Sequence, residues 1–352
     1  MSDFLIYGAN GYVGDLIARE AIRRGLHPIL AGRNAEAISR LAAELNCPSR
    51  SFALGTRDAT APHLAGVRVV LNCAGPFIAT AEPMIEACLA ARVHYLDITG
   101  EIDVIERAAK LHERAVAAGI AVIPAVGFDV VPSDCLAATL AAALPSGNLL
   151  QLAFIPGSIS RGTAKTIIET VPQGGRARID GEIRRVPIAW KTLKVPFPDR
   201  QRWAVSIPWG DVASAFYSTG IPNIETYMAM PRRQICWLRR LRWLFPLFKL
   251  GPLRWSIEQV IKSRVEGPSA DEREHGHTRL WGRVSDAAGC SIEATLTVPS
   301  AYKLTVLTAL ASVEHVLADQ APAGFSTPSR AFGKDFIMSI PGTELNMTDS
   351  RK

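Results

Sequence analysis

Along the first 145 residues, short apolar runs alternate with longer stretches in which apolar residues recur every three or four positions. The runs DFLIYG, PILAGR, SRSFAL, VRVVLNCA, VHYLDIT and IAVIPAVG predict six strands. Between the first two, Val13, Ile17, Ala21 and Ile22 fall on one helical face, and Gly25 ends the pattern. Further helices are predicted over Ala35–Leu45, Pro83–Ala91 and Asp103–Ala118, and over PSDCLAATLAAAL with Ser133 or Asp134 as its cap. Strand and helix in strict alternation imply a parallel sheet covered on both faces.

Beyond Pro145 the texture changes. LLQLAFIPG, RWAVSIPW, NIETYMAM, TRLWGRVSD and CSIEATLTV read as strands separated by loops rich in Pro and Gly, and a helix is predicted over Tyr302–Leu317. The expected organisation is therefore a domain over residues 1–145, a second α+β domain over 146–320, and a C-terminal segment, 321–352, packing back on the first domain.

The junction between the first strand and the first helix carries three glycines, Gly8, Gly11 and Gly14, in the stretch IYGANGYVGD. Glycines there allow a tight turn, close approach of backbone to a pyrophosphate, and close packing of helix on strand. The N–H groups of the helix's first turn then face the anion. The fold class is thus α/β, a Rossmann-type doubly wound parallel sheet, and the ligand a dinucleotide. The second strand ends at Gly32-Arg33-Asn34, where a fold that binds NAD carries an acid for the ribose hydroxyls. Arginine attracts a 2′-phosphate and forks onto its oxygens, so the cofactor read from the sequence is NADP, with Arg40 as a weaker second cation. Asn10, Tyr12, Val13 and Asn34 flank these positions and complete the expected cradle. The fourth strand ends in Asn72, Cys73, Ala74, Gly75 and Pro76, small residues that let a nicotinamide ribose approach.

Ligands of open α/β sheets bind outside the carboxyl ends of the strands, so acids delivered there are the catalytic candidates. They are Asp97 and Glu101 after the fifth strand and Asp129 after the sixth; each is also a residue type that caps helices and shapes turns. Cys73 has no histidine partner in the sequence and reads as a small hydrophobe. None of the six tyrosines has a Lys four residues on, so the Tyr–Lys pair of short-chain dehydrogenases is missing.

Composition narrows the picture only slightly. The 352 residues are 48% hydrophobic, enough for two cores, and carry a net charge of +6. Six cysteines without C-x-x-C spacing argue against zinc and against a disulfide scaffold, and no metal site is expected. His275 and His277 lie in a charged run that reads as a solvated loop. No leader precedes the first strand and no apolar run reaches the ~20 residues of a membrane span, which predicts a cytoplasmic location.

The segments YGANGYVG, LAGRN, VLNCAGPF, HYLDITGE, GFDVVPSD and SRGTAKTIIE together resemble the saccharopine dehydrogenase-like oxidoreductases. They are most similar to the branch that includes the trans-acting enoyl reductases of bacterial lipid biosynthesis. The resemblance implies NADP on Gly8, Gly11, Gly14 and Arg33, and a second domain that mediates homodimer formation and covers the nicotinamide. Expected activity is reduction of a C=C bond in an apolar acyl substrate. Imine reduction of the saccharopine type, and a non-catalytic NADP-binding protein acting at a membrane or partner surface, are the alternatives.

One segment stands apart. Residues 232–255, RRQICWLRRLRWLFPLFKLGPLRW, hold seven Lys or Arg and no acid. As a helix they place Trp237, Leu238, Leu241, Leu244 and Phe245 on one face and arginines on the other. That pattern suits an anionic membrane surface, so the protein would sit peripherally on the inner face of a membrane. It equally suits an apolar face packed on its own domain or on a second subunit. Nucleic-acid binding is not expected, because no such module accompanies the charge.

Overall fold

The computed structural model describes residues 3–157, 174–242 and 269–349. They cluster into two units, Met1–Cys135 with Tyr302–Ile340, and Leu136–Ala301 with Pro341–Lys352. The divide falls inside the helix Val131–Ala143, about ten residues before the expected boundary. The first unit also reclaims a segment expected in the second.

The first unit is built on a seven-stranded sheet. Its strands are β1 (Phe4–Tyr7), β2 (Ile29–Gly32), β3 (Ser49–Ser51), β4 (Val69–Asn72), β5 (His94–Asp97), β6 (Ala121–Ile123) and β15 (Gly324–Phe325). They lie in the order β15-β6-β5-β4-β1-β2-β3. Every pairing is parallel, with Leu5 beside Ile29 and Val70, and Tyr95 beside Val70 and Val122. Strands β1, β2 and β4 are buried along their whole length, which is why their sequences are continuously apolar rather than alternating. The helix Ala301–Leu317 joins this core through Val306, Ala309, Leu310, Val313 and Val316, beside Phe4, Ile6 and Leu71. Burying that stripe draws the chain back to the first unit, and β15 then extends the sheet beside β6.

Two helices differ from expectation for local reasons. The helix expected from Pro83 starts at Phe77 and runs to Ala91 with Pro83 inside it. Glu101 supplies the missing signal: its Oε1 and Oε2 accept hydrogen bonds from the Phe77 and Ile78 N–H groups at 2.9 and 2.8 Å. The long helix expected over 103–118 is two, Ile102–Lys110 and His112–Ala118, parted at Leu111.

The second unit is built on a nine-stranded mixed sheet. It contains β7 (Leu149–Phe154), β8 (Gly175–Ile179), β9 (Glu182–Val186), β10 (Thr192–Pro196), β11 (Gln201–Ser206) and β12 (Asn223–Ala229). The remaining strands are β13 (His277–Ser285), β14 (Ser291–Pro299) and β16 (Glu344–Asp349). The order is β10-β11-β12-β7-β13-β14-β16, with the β8–β9 hairpin attached to β12. Among the described residues of this unit only β12 and β7 pair in parallel. In β14 the inward residues Ile292, Ala294, Leu296 and Val298 are buried and the alternates between them are not, the pattern of a half-covered sheet. Gly282 on β13 lies against the helix Val131–Ala143: a Cβ there would stand 2.6 Å from Leu140 Cδ1 and 3.2 Å from Leu136. Gly282→Val is expected to cost about 1–3 kcal/mol by overpacking, read as a lower denaturation midpoint at unchanged m-value. His275 closes a helical turn, Ala270–His275, capped reciprocally by Ser269 and Glu272, where a loop was expected.

Among the described residues no helix is long and apolar enough to cross a membrane.

Candidate functional site

The chain leaves β1 through Gly8, whose φ of +82° is a conformation that glycine alone adopts cheaply. The Gly8 and Ala9 N–H groups donate to the Ala31 carbonyl at 2.7 and 3.1 Å, tying the turn to β2. A side chain at Gly8 would also meet the Ala74 backbone at 2.8 Å. At Gly14 a Cβ would lie 2.3 Å from the Gly8 carbonyl oxygen, so this glycine lets the helix Tyr12–Arg23 approach the strand. Gly11 serves another purpose. Its φ is −79°, it is exposed, and it precedes that helix with no side chain capping it. The bare, positive end of the helix is thus open to an anion. Asn10 and Tyr12 are exposed beside the turn and Val13 is half-buried; the Tyr12 ring meets Tyr302 edge-on, 5.3 Å between centroids.

Arg33 follows β2 on the same edge of the sheet. It is exposed and makes no hydrogen bond or ion pair among the described residues. Asn34 caps the helix Ala35–Leu45, its Oδ1 accepting from the Ala37 N–H at 3.1 Å. Arg40 is held by Glu36 at 2.9 Å, which leaves Arg33 as the available guanidinium.

After β4, the expected ribose-facing stretch divides in two. Asn72 is fully buried and spent on its own loop. Its Oδ1 accepts from the Ala74 N–H at 3.1 Å, and its Nδ2 donates to Thr80 Oγ1 and Tyr95 Oη, both at 3.3 Å. The Cys73 thiol is enclosed; burial, with Asp97 nearby, pushes it far above the usual thiol range, so it stays a neutral thiol. Ala74, Gly75 and Pro76 remain at the surface of the sheet edge, next to Gly8. Asn72 and Cys73 thus shape a loop whose next three residues are the accessible ones.

The three acids have three different situations. Asp97 is fully buried. Its Oδ1 accepts from the Thr99 and Ala125 N–H groups at 2.9 and 2.8 Å and its Oδ2 from Tyr95 Oη at 2.7 Å. Burial outweighs these donors and lifts its carboxyl to about 6. Asp97 thereby stitches the end of β5 to the loop after β6. Glu101, as described, caps the helix Phe77–Ala91 with both oxygens. Asp129 is half-buried, and its carboxyl has no hydrogen bond or ion pair among the described residues. Burial alone pushes it up to about 7. It packs against Gly100, where a Cβ would stand 2.6 Å from Oδ2. A carboxyl half protonated near neutrality can hold or release a proton at Oδ2.

The loop that carries Asp129 is held from far along the chain, a support that local patterning cannot show. Phe128 N–H donates to Thr305 Oγ1 at 3.0 Å, and Thr308 Oγ1 donates to the Val126 carbonyl at 2.8 Å. Both threonines lie on the helix Ala301–Leu317; the one trace they leave in the sequence is a pair of threonines three apart within a largely apolar stretch, Leu304–Val313. Ala125 sits at φ +62°, held there as its N–H meets Asp97. Strain of that kind gathers where a loop must be aimed.

The glycine turn fits a dinucleotide, and the desolvated acid on the same sheet edge fits proton handling; the class is that of the nicotinamide-dependent oxidoreductases. The model of the saccharopine dehydrogenase NADP binding domain matches residues 4–123. A saccharopine dehydrogenase-like oxidoreductase of Homo sapiens is 31% identical over 150 residues, 37% of this chain and 35% of that one, so about a third of that relative's length is matched. The trans-acting enoyl reductase of Mycobacterium bovis is 26% identical over 412 residues, 99% of this chain and 98% of that one. Among solved structures, apo saccharopine dehydrogenase (L-Glu forming) from Saccharomyces cerevisiae superimposes with a TM-score of 0.66 at 12% identity, over 99% of this chain and all of that one, which is a likeness of fold. Residues 4–123 thus match the saccharopine dehydrogenase NADP binding domain, and the chain is similar to saccharopine dehydrogenase-like oxidoreductases and trans-acting enoyl reductases. Of the segments that carried the resemblance, SRGTAKTIIE lies outside the described residues.

Proposed function

We propose that the protein is an NADP-dependent reductase of a C=C bond in an apolar acyl substrate. The observation that carries this reading is Asp129: a desolvated carboxyl, protonated in part at neutral pH, with no cation beside it among the described residues. A site for a charged amino acid needs an answering cation or a hydrogen-bonded partner; an acid kept neutral by apolar surroundings suits an uncharged substrate. The full-length alignment to an enoyl reductase of Mycobacterium bovis supports the same reading.

The residues fit the cofactor. Gly11 leaves room for a pyrophosphate at the open helix end, Ala74–Pro76 offer an accessible edge, and the unpaired Arg33 meets the adenosine ribose with or without its phosphate. When bound, the nicotinamide supplies a hydride. Asp129 Oδ2 holds the proton that goes to the carbon next to the carbonyl, and recovers one from solvent after each turnover. Asp97 and Glu101 act as positioning residues: one fixes the loop that carries Asp129, the other fixes the helix that opens behind Pro76.

Cofactor preference follows from Arg33. NADPH is expected to bind at least about tenfold more tightly than NADH, ~1.4 kcal/mol, and Arg33→Ala to erase most of that difference in a fluorescence titration. Equal affinities in the unaltered protein would remove the case for NADP. The activity itself is tested by NADPH consumption against α,β-unsaturated acyl thioesters and, in parallel, α-keto acid plus amine pairs. Turnover with the second panel alone makes the protein an imine reductase. Tight cofactor binding without turnover in either assigns it a binding role.

A further inference from the structure

The helix Arg232–Leu241 does not present the single apolar face its sequence suggests. Ile235 is buried, and with the half-buried Leu238 it packs against Ala189 and Val205 of the second unit. Arg239 is drawn onto that same side: its guanidinium donates to the Ala189 and Trp190 carbonyls at 2.8 and 3.1 Å. Packing on the protein is therefore satisfied by Ile235, Leu238 and Arg239. The opposite side carries Arg233, Trp237, Arg240 and Leu241, which recur at helical spacing and are all exposed. Trp237 is 61% exposed, the largest value among the exposed large hydrophobic residues, and Leu241 is 40% exposed. Arg233 and Arg240 make no hydrogen bond or ion pair among the described residues. At the start of the helix, the Arg232 guanidinium stands 5.4 Å from the ring centre of Trp203.

Among the described residues, nothing covers the exposed faces of Trp237 and Leu241 or pairs with Arg233 and Arg240. Packing needs of the helix are met on its other side. Their chemistry matches one surface: indole and leucine enter the boundary between headgroups and acyl chains, while guanidinium groups meet lipid phosphates. No acid occurs between Arg232 and Arg242 to oppose an anionic surface. We propose that this outward face of the helix docks the protein on an anionic phospholipid bilayer. The exposed Arg–Trp–Arg face is the observation behind it, and it stands whether or not the reductase reading holds. An apolar acyl substrate delivered from a membrane would be consistent with it.

The test is sedimentation of the full chain with vesicles of phosphatidylcholine containing 0 or about 30% phosphatidylglycerol, at low and at raised salt. Binding is expected only to the anionic vesicles and to weaken as salt rises. Each arginine near such a surface is worth about fivefold in partitioning, so Arg233→Glu with Arg240→Glu is expected to lower it at least ~20-fold. Trp237→Ala, a change at a side chain 61% exposed, is expected to lower it severalfold and to remove a blue shift of tryptophan emission seen on binding. Cofactor affinity and thermal midpoint serve as folding controls and should not move. No sedimentation at low salt, equal binding to neutral vesicles, or binding indifferent to these changes would each overturn the proposal. So would a loss of self-association in the same variants with vesicle binding intact, which would give the face to a second copy of the chain.

Discussion

Replacing Asp129 with Asn is expected to cut turnover of an enoyl thioester by about 10²- to 10³-fold, the usual worth of a positioned proton donor, with little change in cofactor affinity. The same change is expected to make the protein more stable at pH 8. The Asp129 carboxyl ordinarily titrates at 3.8 and is raised to about 7 by burial. Between those values the folded chain keeps a proton that the unfolded chain has released, so stability falls as pH rises through the window and the full cost is present above it. Asparagine carries no such charge. The gain, on the order of 2 kcal/mol after allowing for partial exposure, corresponds to roughly 4–8 °C in Tm at pH 8 and vanishes near pH 4. Turnover of the unaltered enzyme should fall above about pH 7 as the donor is lost. Full activity in Asp129→Asn would place the proton elsewhere; lost activity joined to a lower Tm at pH 8 would make the residue structural.

Gly11→Val is expected to abolish cofactor binding, at least about 100-fold or ~2.7 kcal/mol, in a protein that still folds. The backbone at Gly11 has a φ that any residue adopts, and its Cβ would meet only the Gly8 carbonyl, at 3.1 Å. The branched side chain then occupies the open helix end where the pyrophosphate must lie. Gly8 and Gly14 behave differently. Gly8→Ala combines a left-handed φ with contact on the Ala74 backbone, and Gly14→Ala forces a Cβ to 2.3 Å from a carbonyl oxygen. Both are expected to lower Tm as well as affinity. Cofactor titration with a parallel thermal melt separates the cases, and unchanged affinity in Gly11→Val would place the phosphates elsewhere.

The first six strands and the glycine turn were legible because buried parallel strands write continuous apolar runs and the turn demands glycines at fixed offsets. Strands β8, β9, β10, β15 and β16 left no such mark; they are short or mixed, and β15 and β16 find their partners far back in the sequence. The start of the helix at Phe77 was hidden because its cap, Glu101, comes 24 residues later. Of the three acids, composition and position made equal candidates. What separates them is burial and hydrogen-bond partners: among the described residues Asp97 has three donors, Glu101 at least two and Asp129 none. Those partners come from separate stretches of chain, so local sequence cannot rank the acids. The basic helix was read as having one apolar face because spacing shows which residues align but not which of two adjacent stripes the neighbours cover. Part of that segment, 243–255, lies outside the described residues.

The first unit takes the helix Ala301–Leu317 and strand β15 from residues that follow the long segment Leu136–Ala301 of the second unit. On the ribosome this fixes an order of events. When Cys135 emerges, the sheet edge beside β6 and the surface that receives Val306, Leu310 and Val313 are still uncovered. At about 5–20 residues per second they stay so for roughly 10–30 s, until Tyr302 and its successors are made. During that interval the nascent dinucleotide fold is an incomplete, sticky object and a natural client for a chaperone. A gene fragment ending near residue 145 would freeze it in that state.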